Sequence, residues 1–405
     1  MNVMNIKLKK AIKSTCCVVL GASLSAGAMA QSALEANFPE LAKLYNAFYV
    51  TQARAYDYIA EINANPALAD ARDTLVEHLE EMKAMSGHDM HSQMGPGPNT
   101  SMSMDHSGHD MSSMGGASMG GPYGESEMLA RITLGQAVRG EYSSDEAQQA
   151  LTSIESVPNH ARMVLAWGRN FEDQLWNIWA DQSTSVAAKR TATAEAIANY
   201  HTGDERHAVS PLPKNADLYL NHDYADGLSM GFPRISGLLW ANQWLQLASL
   251  EALILGEVDT QFDGQVPTTL ERYWNKVGSE TGMTMFPAPS EMPSAPAISP
   301  QLYTQAPEAS RIIDNLNMLE TAIADIVAYP NLTEEQRNEA IMTTVSYFTS
   351  DVDQNTDETN YLLSALRGGI YNQGGPAIGE LMGSERNRSR EAMGMVHNMI
   401  MSGPQ

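Results

Sequence analysis

The chain has 405 residues, with 48 acidic against 25 basic side chains, a formal charge of −23 and 43% hydrophobic residues. That is enough apolar mass for a sizeable core, and the length suits two domains. It excludes nucleic-acid binding, because a polyphosphate needs a basic footprint and no stretch of this acidic chain supplies one.

The first 30 residues place Lys7, Lys9, Lys10 and Lys13 before the apolar run from Cys17 to Leu24, with a small-residue site at Ala28-Met29-Ala30. This is the pattern of a secretory signal peptide. Removing 30 residues and four lysines would leave 375 residues at a formal charge of −27, and would take away both cysteines, Cys16 and Cys17. Disulfides, Cys-ligated zinc, iron-sulfur clusters and c-type haem attachment are excluded from a chain so processed. The cysteines open the apolar run rather than follow it, which does not suit a lipid anchor. No later apolar run reaches the roughly 18 uncharged residues of a membrane span. The expectation is a soluble protein of a Gram-negative periplasm, without a transmembrane span in the mature chain.

Beyond the leader, apolar residues recur at helical intervals, beginning with Leu34, Phe38, Leu41, Tyr45, Phe48, Ile59 and Ile62. Further helices are predicted near 66–84, 125–139, 144–156, 159–181 and 184–200, then near 234–256, 267–278, 307–328, 334–349, 357–370 and 376–400. Ser143 with Glu146 and Thr333 with Gln336 are spaced as capping boxes, and Pro39, Pro66 and Pro307 stand where a first turn tolerates a missing N–H. Period-two strand patterns are almost absent, so the fold class is all-α, a multi-helix bundle. The expected division is an N-terminal helical domain, 31–205, and a C-terminal one, 206–405. Within the first, residues 85–124 are low-complexity and too poor in bulky apolar groups to offset the entropy of ordering, so a disordered Met/His-rich loop is expected. Within the second, the five prolines Pro287, Pro289, Pro293, Pro296 and Pro300 predict a linker or lapping arm over 281–306. Pro211, Pro213 and clustered polar residues mark another break near 202–226.

The chemistry is concentrated at the first break. Residues 82–119 hold nine of the 25 methionines and four of the ten histidines. Average usage would place about one methionine there. The pentapeptide Ser-Gly-His-Asp-Met occurs twice, at 86–90 and 107–111. The candidate ligands are Met85, His88, Asp89, Met90, His91, Met94, Met102, Met104, Asp105, His106, His109, Asp110, Met111, Met114 and Met119. A thioether is soft and polarisable and prefers Cu(I) or Ag(I), imidazole serves Cu(I) and Cu(II), and carboxylate favours harder ions. Gly and Ser between the ligands let the chain wrap an ion without backbone strain. The competing reading is a flexible insertion whose methionines serve as an oxidant sink. Core filling explains Met128, Met163, Met318 and Met342, which lie on apolar stripes, but not nine methionines among Gly, Ser and Asp.

The run Met104-Asp105-His106-Ser107-Gly108-His109-Asp110-Met111 resembles the Met/His-rich stretches of bacterial periplasmic copper-resistance and copper-handling proteins. The resemblance covers 38 of the 405 residues and is compositional. It implies copper, Cu(I) or Cu(II), with Ag(I) as a further ion, and a periplasmic or outer-membrane metal-handling partner. It does not extend to a multicopper oxidase, which needs His-X-His pairs and a His-Cys-His motif that this chain lacks.

Weaker constellations remain. Met393, Met395, His397, Met399 and Met401 put a ligand type at every second position. An extended backbone would gather all five on one side, whereas a helix would disperse them. His201, His207, His222, Asp223 and Asp226 could converge on a metal or on acid-base chemistry, or lie apart in a loop. A di-iron bundle needs Glu-X-X-His pairs, and the chain has none. Asp351, Asp353, Asn355 and Asp357 imitate a calcium loop but fail at Thr356 and Leu362. The six tryptophans sit among Leu and Ile as core, although Trp176 and Trp179 could line a cleft. No nucleophile elbow, phosphate loop or dinucleotide fingerprint appears, so a binding protein is expected rather than an enzyme, with no catalytic or organic cofactor residues. Copper capture, buffering or delivery is the leading expectation. The alternative is a secreted helical module that binds a ligand or protein, with the loop secondary.

Overall fold

A computed structural model describes residues 32–86, 121–278, 291–367 and 374–378. Among them the fold is all-α: sixteen α-helices, short 3₁₀ turns and one isolated bridge, Lys214 to Asn355, with no strand. In chain order the first seven are α1 (Ala33–Asn37), α2 (Pro39–Ala64), α3 (Ala69–Ser86), α4 (Gly124–Val138), α5 (Ser144–Thr152), α6 (Asn159–Ala180) and α7 (Val186–Gly203). After the polar break come α8 (Asp217–Leu220), α9 (Gly227–Gly231), α10 (Pro233–Val258), α11 (Gln265–Val277), α12 (Ala295–Ile298), α13 (Pro300–Gln305), α14 (Pro307–Ala328), α15 (Glu334–Thr349) and α16 (Glu358–Arg367). None is long and apolar enough to cross a membrane.

The helix starts follow local chemistry. Ser143 accepts from the Glu146 N–H while the Glu146 carboxylate accepts from the Ser143 N–H, and Thr333 with Gln336 does the same at α15. Ser32 with Glu35 caps α1 by the same device. Pro39 and Pro307 open α2 and α14 in the first turn, where a missing N–H breaks no hydrogen bond.

The long helices α2, α6, α10 and α14 form the centre. α10 and α14 are buried on nearly every side through their middle turns, as helices hydrophobic all round must be. α11 shows the opposite pattern: Val266, Thr269, Tyr273 and Val277 make one buried stripe, which lies on α10. Gly168 lets α6 approach α14, since a Cβ there would come within 2.5 Å of Leu316 Cδ2. Helices from both sides of residue 205 share one continuous hydrophobic cluster, running from Leu34 to Phe348. Trp176, Trp179 and Trp244 lie inside it, each contributing about 2–3 kcal/mol by burial.

Of the Pro-rich stretch, expected as a linker or lapping arm, the part from 291 on is described, and it packs into the bundle. From 295 to 305 it forms α12 and α13, whose Ala295, Ile298 and Leu302 are fully buried. The reason is positional: Pro296 and Pro300 sit in first turns, where proline starts a helix instead of extending the chain. Carboxylates then fix both starts. Asp314 accepts from Ala295 N at 2.8 Å, and Glu251 accepts from Gln301 N at 2.9 Å. The helix expected over 376–400 appears as a 3₁₀ turn at Pro376–Ile378, and the remainder lies outside the described residues.

Candidate functional site

The Met/His-rich ligands from His88 to Met119 lie outside the described residues, as do Met393, Met395, His397, Met399 and Met401. Met85 lies in the last turn of α3, and Met82, one turn earlier, is exposed. The structure does show how the segment is framed. On its N-terminal side, Lys83 Nζ donates to the backbone oxygen of Asp223 at 2.8 Å and to Tyr329 Oη at 2.9 Å. On its C-terminal side, Gly121 is wedged against α9 and the start of α10, where a Cβ would meet Met230 O at 2.5 Å and Gly231 O at 2.7 Å. Tyr123 then stacks on Phe232 with ring centroids 4.7 Å apart. Both described flanks therefore rest on the stretch from Asp223 to Pro233.

The histidines of the polar break do not converge. His207 Nδ1 lies 2.6 Å from Asp204 Oδ2, and its ring is beside that of His160. His201 packs edge-on against Tyr200, and burial lowers its pKa against the pull of Asp351 and Glu308. His222 Nε2 faces Asp325 Oδ2 at 3.4 Å. Asp223 offers its backbone oxygen to Lys83, and Asp226 stands at φ 67° as the N-cap of α9. Among the described residues no group of three or more His, Cys, Asp or Glu is arranged to hold a metal.

Two other sequence features have structural explanations. The calcium-like turn is filled by a lysine: Lys214 Nζ donates to Ser350 O, to Asp353 O at 2.8 Å and to Asn355 Oδ1 at 2.6 Å. The ammonium sits where a loop of this kind would hold its cation, and Lys214 is 1% exposed. Trp176 and Trp179 are core, each 1% exposed. A cavity of about 20 Å³, room for a water molecule, lies among Lys214, Tyr219, Met292, Asp314, Met318 and Tyr361. Its acid is already engaged, since Asp314 accepts from Ala295 N and from Tyr361 Oη, and burial raises the Asp314 carboxyl to about 7.

The feature that sequence reasoning missed is a polar layer at the centre of the bundle. α2 contributes Tyr49, Gln52 and Tyr56, α6 contributes Glu172, α10 contributes Gln243 and Gln246, and α14 contributes Asn317 and Glu320, all buried. Tyr49 Oη donates to Glu172, Gln52 Nε2 donates to Tyr56 Oη at 3.2 Å, and Tyr56 Oη donates to the backbone oxygen of Glu320 at 3.1 Å. Gln243 Nε2 spans Asn317 O at 3.2 Å and Glu320 Oε2 at 3.3 Å. Burial raises the Glu172 carboxyl far above its ordinary value, with the Glu320 charge adding to it, and burial raises Glu320 to about 7. Both ends of the Gln246 and Asn317 amides, and Gln52 Oε1, have no hydrogen-bond partner in the protein. Each such buried atom costs about 1–3 kcal/mol if nothing satisfies it. The signal in the sequence was faint: polar residues standing at core positions of the two helices that are otherwise apolar all round.

No family model, no curated protein and no solved structure matches the chain.

Proposed function

We propose that the chain is a periplasmic copper-binding protein, which captures, buffers or delivers copper through the ligands of residues 82–119. The observation that carries the reading is the repeated Ser-Gly-His-Asp-Met unit in a stretch holding nine of the 25 methionines. With the expected leader removed, the chain keeps no cysteine, and thioethers are then the soft ligands it has for such an ion. The framing of the segment supports the same reading. Its two described flanks, at Lys83 and Gly121, are both seated on residues 223–233 of the bundle. The acidic surface draws cations toward the protein without selecting among them.

Titrating the protein with Cu(I) against a competing chelator, beside a variant lacking residues 85–119, tests the proposal. The intact chain should hold Cu(I) that the deleted chain loses, and equal affinity and stoichiometry in both would overturn it. Because thioethers do not protonate, Cu(I) retention should persist at pH 5. Cu(II), which depends on imidazole, should be released as pH falls through ~6.5.

A further inference from the structure

We infer that the interior of the bundle holds a hard divalent cation between the Glu172 and Glu320 carboxylates, with side-chain oxygens of Gln52, Gln246 and Asn317 completing an all-oxygen shell. The site shares no residue with the Met/His-rich segment, and no thioether or imidazole is among its ligands.

Three observations converge on it. First, two carboxylates are buried in one bundle interior, at 1% and 6% exposure, and neither forms an ion pair among the described residues. The side chains that hydrogen-bond to them are neutral: Tyr49 donates to Glu172 and Gln243 to Glu320, while the amides of Gln246 beside Glu172 and Gln52 beside Glu320 make no hydrogen bond to the carboxylates. Arg169, one turn before Glu172, is directed elsewhere, donating to Asn46 Oδ1 at 3.0 Å and to Gln148 Oε1 at 3.2 Å. Second, the neutral groups around the pair are themselves short of partners. Gln246 and Asn317 are at most 2% exposed, yet both atoms of each amide are unpartnered, as is Gln52 Oε1. An amide can turn either its oxygen or its nitrogen inward, so these three can present oxygen to an ion. Third, the donors are of one kind. Carboxylate and amide oxygens suit Ca²⁺, Mg²⁺ or Mn²⁺ and are poor ligands for Cu(I), and two carboxylates balance one divalent charge. Without the ion, the buried acids can be neutral only by binding protons, which an incoming cation would displace.

Mn²⁺ is the probe. The full chain, stripped with a chelator and dialysed against Mn²⁺ at pH 7.5, should retain one ion per chain after gel filtration and unfold at a higher temperature than the stripped protein. The variant lacking residues 85–119 should retain it equally, whereas E172Q/E320Q should lose both the ion and the thermal shift. Equal retention in the wild type and E172Q/E320Q, or none in the wild type, would overturn the inference. Should the double variant fail to fold, water-proton relaxation of the Mn²⁺-loaded wild type decides. An enclosed ion should relax bulk water several-fold less than aqueous Mn²⁺, and relaxation as strong as that of the free ion would place it on the surface and refute the site. Loss of Cu(I) with retention of Mn²⁺ in the deletion variant separates this site from the copper segment.

Discussion

Glu251 shows at a single residue how burial makes stability depend on pH. Its Oε2 accepts from Gln301 N and Leu302 N, its Oε1 has no partner, and burial raises the carboxyl to about 8. A carboxyl whose folded pKa lies above its unfolded one binds a proton on folding, so its contribution is fully present below about 4.5 and is lost as pH rises toward 8. E251Q keeps the acceptor and removes the titration. It should stabilise the protein by order of 2–3 kcal/mol at pH 7.5 and by much less at pH 5, as read by chemical denaturation at the two pH values. Lys214 gives the complementary case. Its ammonium satisfies three oxygens of the 350–355 turn, so K214M should cost about 3 kcal/mol, and millimolar Ca²⁺ should not restore the loss of melting temperature. Neither residue could be read from the sequence. The Asp351, Asp353, Asn355 spacing imitates a calcium loop and fails at Thr356 and Leu362, and the cation that the turn does hold is the ammonium of a lysine more than a hundred residues away. Long-range pairings of this kind leave no local pattern.

At the scale of elements the sequence is far more informative, because caps and first-turn prolines act over three or four residues. Ser143, Thr333, Pro39 and Pro307 mark helix starts that the structure reproduces. The same rule explains the Pro-rich stretch, where counting prolines suggests an extended arm but their positions in first turns build α12 and α13. The polar layer was hidden for a different reason. Glu172, Gln246, Asn317 and Glu320 obey helical spacing as well as leucine does, and periodicity alone cannot tell which polar residues face inward when a helix is enclosed on all sides. Gly121 carries the element-scale prediction. With Met230 O and Gly231 O standing where a Cβ would go, G121A must push the flank of the Met/His-rich segment off α9. A loss of about 1–3 kcal/mol is expected in denaturant unfolding, while G264A, at a glycine with no neighbour within 4 Å of its Cβ, should report only the strain of its positive φ.

For the whole molecule, composition averages conceal what position reveals. The two cysteines belong to the predicted leader, the formal charge deepens when that leader's lysines are removed, and the methionine excess is gathered into residues 82–119. The helices described here are a bundle with a shared hydrophobic core and a polar centre, whose surface seats both flanks of that stretch on the residues around α9. On the proposed function, methionine sulfur in this segment holds copper. X-ray absorption at the copper edge tests it most directly, on a chain beginning at residue 31 and loaded with one equivalent of Cu(I). Such a chain contains no cysteine, so any sulfur bound to the metal must be a thioether. Sulfur should appear among the atoms bound to copper and disappear when residues 85–119 are deleted. A shell of nitrogen and oxygen alone, or sulfur ligation that survives the deletion, would contradict it.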